Sequence, residues 1–222
     1  MSIKLVVFDW NGTLLADTAA VVESINVGEM PVLNHSPITV AEYQAVYDAP
    51  LHNYYRALGV SDEDHEKHAA ALSKGFHGHY EQLLGKTKTR PGARRALDDL
   101  HAKRIQRIIL SNYITDRIAE QLKRLKLTHH FEYILANEHG GIAHKTGKQH
   151  RLEKYLEEHD IPATDVVIVG DSLEEIRIAH ALGTKVISIT GGTCSIKRLR
   201  EAKPDAIISS LFQLNKVVEE MS

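Results

Sequence analysis

The residues with the means to do chemistry fall in four short segments, each at or beside the end of an apolar run. In the first, Ile3-Lys4-Leu5-Val6-Val7-Phe8 stops on Asp9 and continues as Trp10-Asn11-Gly12-Thr13-Leu14-Leu15. A buried strand that delivers a carboxylate at its carboxyl end sets it where ligands bind in a parallel α/β sheet. There it serves as a nucleophile or a metal ligand. Asp and Gly are also ordinary turn residues, so the segment takes its weight from the other three. The second is Ile108-Ile109-Leu110-Ser111-Asn112. A hydroxyl and a backbone N–H at a strand end can bind a phosphate oxygen, although Ser-Asn is equally a common way to begin a loop. The third is His144-Lys145-Thr146-Gly147-Lys148, ahead of a helical pattern. A cation there opposes the helix macrodipole. An anionic ligand for Lys145 or Lys148 would account for it, and solvation would account for either alone. The fourth runs Val166-Val167-Ile168-Val169-Gly170-Asp171-Ser172-Leu173-Glu174-Glu175. Asp171 is a second carboxylate at a strand end, and Glu175 follows one helical turn later. Two carboxylates and a backbone carbonyl suit Mg²⁺, which binds alongside phosphates. Helix capping explains Ser172 and Glu175 equally well, but not a Gly-Asp pair ending a buried strand.

The elements that must hold these residues are legible as a pattern. Val- and Ile-rich runs at 107–110, 132–135, 166–169, 185–189 and 205–208 read as buried parallel strands. Helical patterns lie between them at 94–100, 116–122, 151–156 and 175–182, the last ending at Gly183 as a C-terminal cap. Such alternation predicts an α/β fold, a parallel sheet covered on both faces. Residues 16–88 break it. They hold few β-branched runs, helical stretches at 40–47 and 65–72, and Ser61 as a candidate N-cap. This predicts a small helical domain, 16–88, inserted into a core made of 1–15 and 89–222.

Bulk properties exclude several classes. The 222 residues are 43% apolar and 25% charged, ordinary for a globular chain. A net charge of −2 gives no pull toward nucleic acid or membrane. No apolar stretch reaches the roughly 20 residues of a membrane helix, and no basic-then-apolar leader is present. The single cysteine, Cys194, fits a reducing compartment, so a cytoplasmic location is expected. None of the 14 histidines adopts a Cys/His zinc spacing, and they read as solvated or helix-terminal side chains.

In this order the four segments resemble the haloacid dehalogenase superfamily of hydrolases, over essentially the whole chain. The matching motifs are Phe8-Asp9-Trp10-Asn11-Gly12-Thr13-Leu14, Leu110-Ser111-Asn112, Lys148 (or Lys145), and Gly170-Asp171-Ser172 with Glu175. The tail from Thr190-Gly191-Gly192-Thr193 to Ser209-Ser210 is similar to members related to phosphoglycolate phosphatase. The resemblance implies a Rossmann-like three-layer core with a helical cap after the first strand. It implies a Mg²⁺-dependent phosphatase that acts on a small phosphorylated metabolite through an aspartyl-phosphate. Asp9 would be the nucleophile and Ser111 the phosphoryl binder, with Lys148 neutralising charge. Asp9, the carbonyl of Asn11, Asp171 and Glu175 would hold the metal. Thr13, Asn112 and Lys145 would touch substrate. Lys148 is favoured over Lys145 because it enters on the first turn of the following helix.

One departure stands out. The family's phosphatases carry Asp two residues after the nucleophile as general acid and base, and here that position is Asn11. An amide cannot donate and regain a proton as a carboxyl does. A phosphate-binding protein with little turnover is therefore an alternative. A metal-independent dehalogenase also shares the missing Asp and the Ser-Asn motif, but Gly170-Asp171 favours phosphate chemistry. In the insertion, His52, Tyr54, Tyr55 and Arg56 are candidate substrate contacts.

Overall fold

The computed structural model describes residues 2–138 and 147–222. β1 (Leu5–Phe8) enters first and is buried throughout. Four helices follow with no strand between them: α1 (Thr18–Gly28), α2 (Val40–Val46), α3 (Leu51–Ala57) and α4 (Asp62–Leu84). Alternation then begins with α5 (Ala93–Ala102), β2 (Gln106–Ile114), α6 (Thr115–Leu125) and β3 (Tyr133–Asn137). It continues through α7 (Lys148–Glu158), β4 (Val166–Gly170), α8 (Leu173–Leu182), β5 (Lys185–Ile189), α9 (Ile196–Glu201), β6 (Ala206–Ile208) and α10 (Leu214–Glu220). Among the described residues the strands form one sheet in the order β3-β2-β1-β4-β5-β6. Every pairing in it is parallel. The order turns back at β1, between β2 and β4, and a crevice opens at such a point beyond the strands' carboxyl ends.

Residue parity along β1 builds the layers. Val6 and Phe8 face an apolar cluster with Leu97 of α5, Ile118 of α6 and Leu214 of α10. Leu5 and Val7 face the opposite cluster with Leu152 of α7, Ile176 of α8 and Leu199 of α9. The three-layer α/β core expected from the alternation is what forms. β2 runs further than its apolar run, through Ser111 to Ile114, and its register with β3 shifts between Leu110 and Ile114.

Helices α1 to α4 close around a third cluster, which includes Val22, Ile25, Met30, Tyr43, Tyr54 and Leu72. Thr39 and Glu42 start α2 with a reciprocal capping box, and Ser61 caps α4 through the Asp64 N–H. Leu15 and Thr89 form an antiparallel bridge where the chain leaves and re-enters the sheet region. The insertion is not self-contained in its packing. Tyr80 and Leu84, at the end of α4, belong to the sheet's own cluster, and Val21 and Phe76 pack on both. Among the described residues no helix is long and apolar enough to cross a membrane.

Candidate active site

Asp9 leaves β1 with its N–H donating to the Val169 carbonyl at 2.9 Å, which brings the ends of β1 and β4 level. Asp171 follows the last residue of β4. Lys148 is the first residue of α7, and its Nζ donates to Asp9 Oδ1 at 2.7 Å and to Glu175 Oε1. Glu174 lies 4.0 Å from the same ammonium. Asp9, Lys148, Asp171 and Glu175 are all at most 7% exposed. Three strand–helix units, far apart in sequence, thus bring three carboxylates and one cation into a dry space.

The electrostatics of that space are uneven. Burial raises the Asp9 pKa well above the usual carboxylate range. Glu175 and Asp171 add to the rise, against the pull of Lys148. Burial, with Glu175 adding, pushes Asp171 up to about 6, despite hydrogen bonds from Thr13 and Thr193. Burial would also raise Glu175, but Lys148 and Ser172 outweigh it and hold this carboxyl below its usual value. Burial works against the Lys148 charge, yet Asp9 and Glu175 keep its pKa well above normal. One ammonium is too little positive charge for the cluster. Asp9 and Asp171 are a hard, all-oxygen donor pair short of a cation, and a divalent ion such as Mg²⁺ fits them.

Asp171 is held in a backbone cradle. Gly12 has φ +73°, and a Cβ there or on Gly192 would collide with the Asp171 carboxylate. Thr13 Oγ1 donates to Asp171 Oδ1 at 2.6 Å and the Thr193 N–H to Oδ2 at 2.5 Å. The Thr13 hydroxyl, expected to meet substrate, is therefore directed at Asp171. Glu175, expected from the resemblance to hold or support the metal, meets Lys148 and the start of α8. Its Oε1 meets Lys148, and its Oε2 accepts from the Ser172 hydroxyl at 2.6 Å and the Ser172 N–H at 3.1 Å. Both oxygens are engaged in fixing the lysine and the helix start.

Ser111 is 2% exposed and sits at the irregularity in β2. Its Oγ accepts from the Tyr113 N–H at 3.1 Å, a bond that uses a lone pair and not the hydroxyl proton. Asn112 turns outward, its amide donating to Glu174 Oε2 at 2.7 Å. Lys145 lies outside the described residues. Of the four candidate contacts in the insertion, Tyr54 and Tyr55 are buried in the α1–α4 cluster, and Arg56 pairs with Asp62 at the surface.

Three residues that the sequence did not single out complete the surroundings. The Asn11 amide donates to Asp17 Oδ2 at 2.6 Å and to the Tyr80 hydroxyl at 2.8 Å. Tyr80 in turn donates to Asp17, and the Gly12 N–H reaches Asp17 Oδ1 at 2.7 Å. Arg90 spans the turn after β1 and the loop after β5, donating to the carbonyls of Gly12 at 2.7 Å and Thr190 at 2.5 Å. Nothing in the sequence around Asp17 marks it as part of the site.

The chain matches the family model described as haloacid dehalogenase-like hydrolase over residues 6–189. It is 27% identical over 225 residues to a phosphoglycolate phosphatase of Pseudomonas fluorescens, covering 95% of this chain and 78% of that protein. A phosphoglycolate phosphatase of Nitrosospira multiformis is 24% identical, covering 100% of this chain and 98% of the other. A solved haloacid dehalogenase-like hydrolase of Streptococcus pneumoniae superposes with a TM-score of 0.79 at 17% identity. The match covers 97% of this chain and 98% of that one, and it speaks to the fold alone.

Proposed function

The chain belongs to the haloacid dehalogenase-like hydrolases, and from that premise we propose that it is a Mg²⁺-dependent phosphatase of a small phosphorylated metabolite. Phosphoglycolate is the first substrate to test, because the relatives that match over nearly the whole chain carry that name. The observation that carries the reading is the Lys148 ammonium held 2.7 Å from Asp9, in a buried carboxylate cluster short of positive charge. Phosphoryl transfer asks mainly for positioning and charge neutralisation, and this cluster supplies both.

In the proposed reaction an Asp9 oxygen attacks phosphorus, the bond to the leaving-group oxygen breaks, and an aspartyl-phosphate forms. Lys148 offsets charge between nucleophile and phosphoryl group. Glu175 keeps that lysine in place. Ser111 donates its hydroxyl proton to a phosphoryl oxygen. The leaving group takes its proton from solvent. Water then attacks phosphorus, the bond between Asp9 and phosphorus breaks, phosphate leaves and Asp9 returns as a carboxylate, the water's proton passing to solvent. Asp9, Asp171 and the Asn11 carbonyl would hold Mg²⁺, which supplies Lewis-acid stabilisation of the phosphoryl oxygens. Asn11 has no acidic proton to give the leaving group, so departure is slow for alkoxides. Residues 16–88 act as a cap over this site, on the core of 1–15 and 89–222. The lone Cys194 supports a cytoplasmic setting.

The test is hydrolysis of p-nitrophenyl phosphate and phosphoglycolate with and without Mg²⁺, for wild type and Asp9→Asn. Turnover that requires Mg²⁺ and vanishes in a folded Asp9→Asn protein is expected. An active Asp9→Asn protein overturns the covalent route. Phosphate binding without any turnover would favour the binding-protein reading that Asn11 motivates, and halide release without metal would favour a dehalogenase.

A further inference from the structure

At the amino-terminal edge of the sheet, opposite the carboxylate cluster, stands a second group of ligating side chains. Asp98 lies on α5, and His129 and His130 form the 3₁₀ turn before β3. One donor atom from each lies within 4.8 Å of the other two. The histidines are expected to be solvated or helix-terminal, and His130, which ends the 3₁₀ turn, is only 1% exposed. Neither of its ring nitrogens makes a hydrogen bond, although Nε2 lies 3.4 Å from Asp98 Oδ1. The His129 ring is tilted by 39° against it with centroids 4.0 Å apart. A buried imidazole that makes no hydrogen bond, set between two further donors, is unusual, because buried polar groups are nearly always satisfied.

We propose that Asp98, His129 and His130 form a divalent transition-metal site of the zinc or copper(II) type. Imidazole nitrogen with one carboxylate oxygen is the donor set of such ions and not of Mg²⁺, which prefers oxygen alone. Asp98 and His129 are exposed, so their side chains turn to close on the ion, and water fills the remaining positions. His130 offers a fixed, buried anchor. Its burial, together with the neighbouring His129, keeps the ring neutral, with a pKa pushed down to about 4. Neutral imidazole is the ligating form.

Two cations stand nearby and limit the affinity. Arg94 is held to the carbonyls of Leu125 at 2.7 Å and Lys126 at 3.3 Å. Arg107 donates to the His130 carbonyl at 2.7 Å and lies 3.8 Å from Glu132, which offsets part of its charge. Their repulsion weakens the binding of a dication at this site. It also favours an ion whose bond to imidazole has strong covalent character.

The experiment titrates Cu²⁺ into the full chain saturated with Mg²⁺, read by calorimetry and by electron paramagnetic resonance. Wild type is expected to bind one tight equivalent with nitrogen hyperfine splitting from imidazole. His129→Ala should weaken it at least tenfold and Asp98→Asn to a smaller extent. His150→Ala, an exposed histidine on α7, should leave it unchanged. Zn²⁺ should raise the Tm of wild type and not that of His129→Ala. Both test residues are exposed, so the variants fold, and phosphatase turnover should be unaffected by either. Equal Cu²⁺ affinity and spectra in wild type, His129→Ala and Asp98→Asn overturn the site, as does the absence of any nitrogen-ligated equivalent in wild type.

Discussion

Asn11 sits two residues after Asp9, and its amide donates to Asp17 and Tyr80. An Asn11→Asp protein sets a carboxylate against the Asp17 carboxylate, with the Tyr80 hydroxyl between them. Two carboxylates so close share a proton, and one pKa rises strongly. That creates an acid where none exists now. Turnover on alkyl phosphates is expected to rise by up to ~10²-fold, the lower end of general acid catalysis. Aryl phosphates should gain less, since a phenolate leaves without a proton. Mg²⁺ affinity is measured in parallel, and unchanged alkyl-phosphate turnover with intact metal binding would show that Asn11 is not limiting. The residues of this site were unequally legible. Asp9 and Asp171 each end an apolar run, and Lys148 opens a helical pattern, so local sequence marks all three. Asp17 has no such mark in the sequence, and although it is the N-cap residue of α1 its side chain makes no cap hydrogen bond there. Its partner Tyr80 is 63 residues away, and only the packing of α4 against the sheet unites them.

The inner strands β1, β2, β4 and β5 were readable because apolar runs buried on both faces have no other stable home, whereas the edge strands β3 and β6, also expected to be buried, are only partly covered. The insertion's helices were harder. The pattern at 65–72 marks only the first half of α4, and the buried positions Tyr80 and Leu84 lie beyond it. α1 and α3 owe their place to the tyrosine-rich cluster they help enclose. Glu29, at the carboxyl end of α1, shows what that enclosure does to a charge. It is 6% exposed, and burial lifts its pKa to about 7, against a hydrogen bond from Tyr55. The folded state therefore binds this proton more tightly than the unfolded state, whose value is 4.5. The contribution to stability is full below pH ~4.5 and is lost as pH rises through ~7, a swing of about 3 kcal/mol. Glu29→Gln removes the titration. Its Tm should fall less than that of wild type between pH 5 and 7.5, and should exceed it at pH 8. On the proposed function, saturating Mg²⁺ would keep the carboxylate cluster ionised throughout the scan. Parallel pH profiles for the two proteins would exclude this role for Glu29.

At the scale of the molecule, the insertion is tied to the sheet at two places of different strength. The end of α4 is anchored by Tyr80 and Leu84 in the core cluster. The other tie joins residues 44–49 to the loops and helices that follow β4 and β5. Gln44 Nε2 donates to the Gly192 carbonyl at 2.7 Å, and the Ser195 N–H to the Gln44 carbonyl at 3.0 Å. Arg198 reaches the Tyr47 carbonyl at 2.5 Å, and Arg177 reaches Asp48 at 2.7 Å and the Ala49 carbonyl at 2.8 Å. This second tie is polar and partly exposed, with the Arg177 side chain 50% accessible. Contacts of that kind are each worth about 1 kcal/mol or less. It also lies beside the reactive groups. Burial raises the Tyr47 phenol pKa, and the charges of Glu174 and Asp171 add to it. A strong anchor at one end and a weak clasp near the carboxylates would let the insertion open as a lid about α4 without unfolding. The Gln44→Ala/Arg177→Ala protein should therefore keep its fold, with a Tm lowered by only a few degrees. Its kcat/KM for a bulky aryl phosphate should rise several-fold relative to that for a small alkyl phosphate, because the clasp and not the chemistry excludes size. Steady-state kinetics on the two substrates decide it, for an unchanged ratio at unchanged stability would place the size limit in the core and not in the lid.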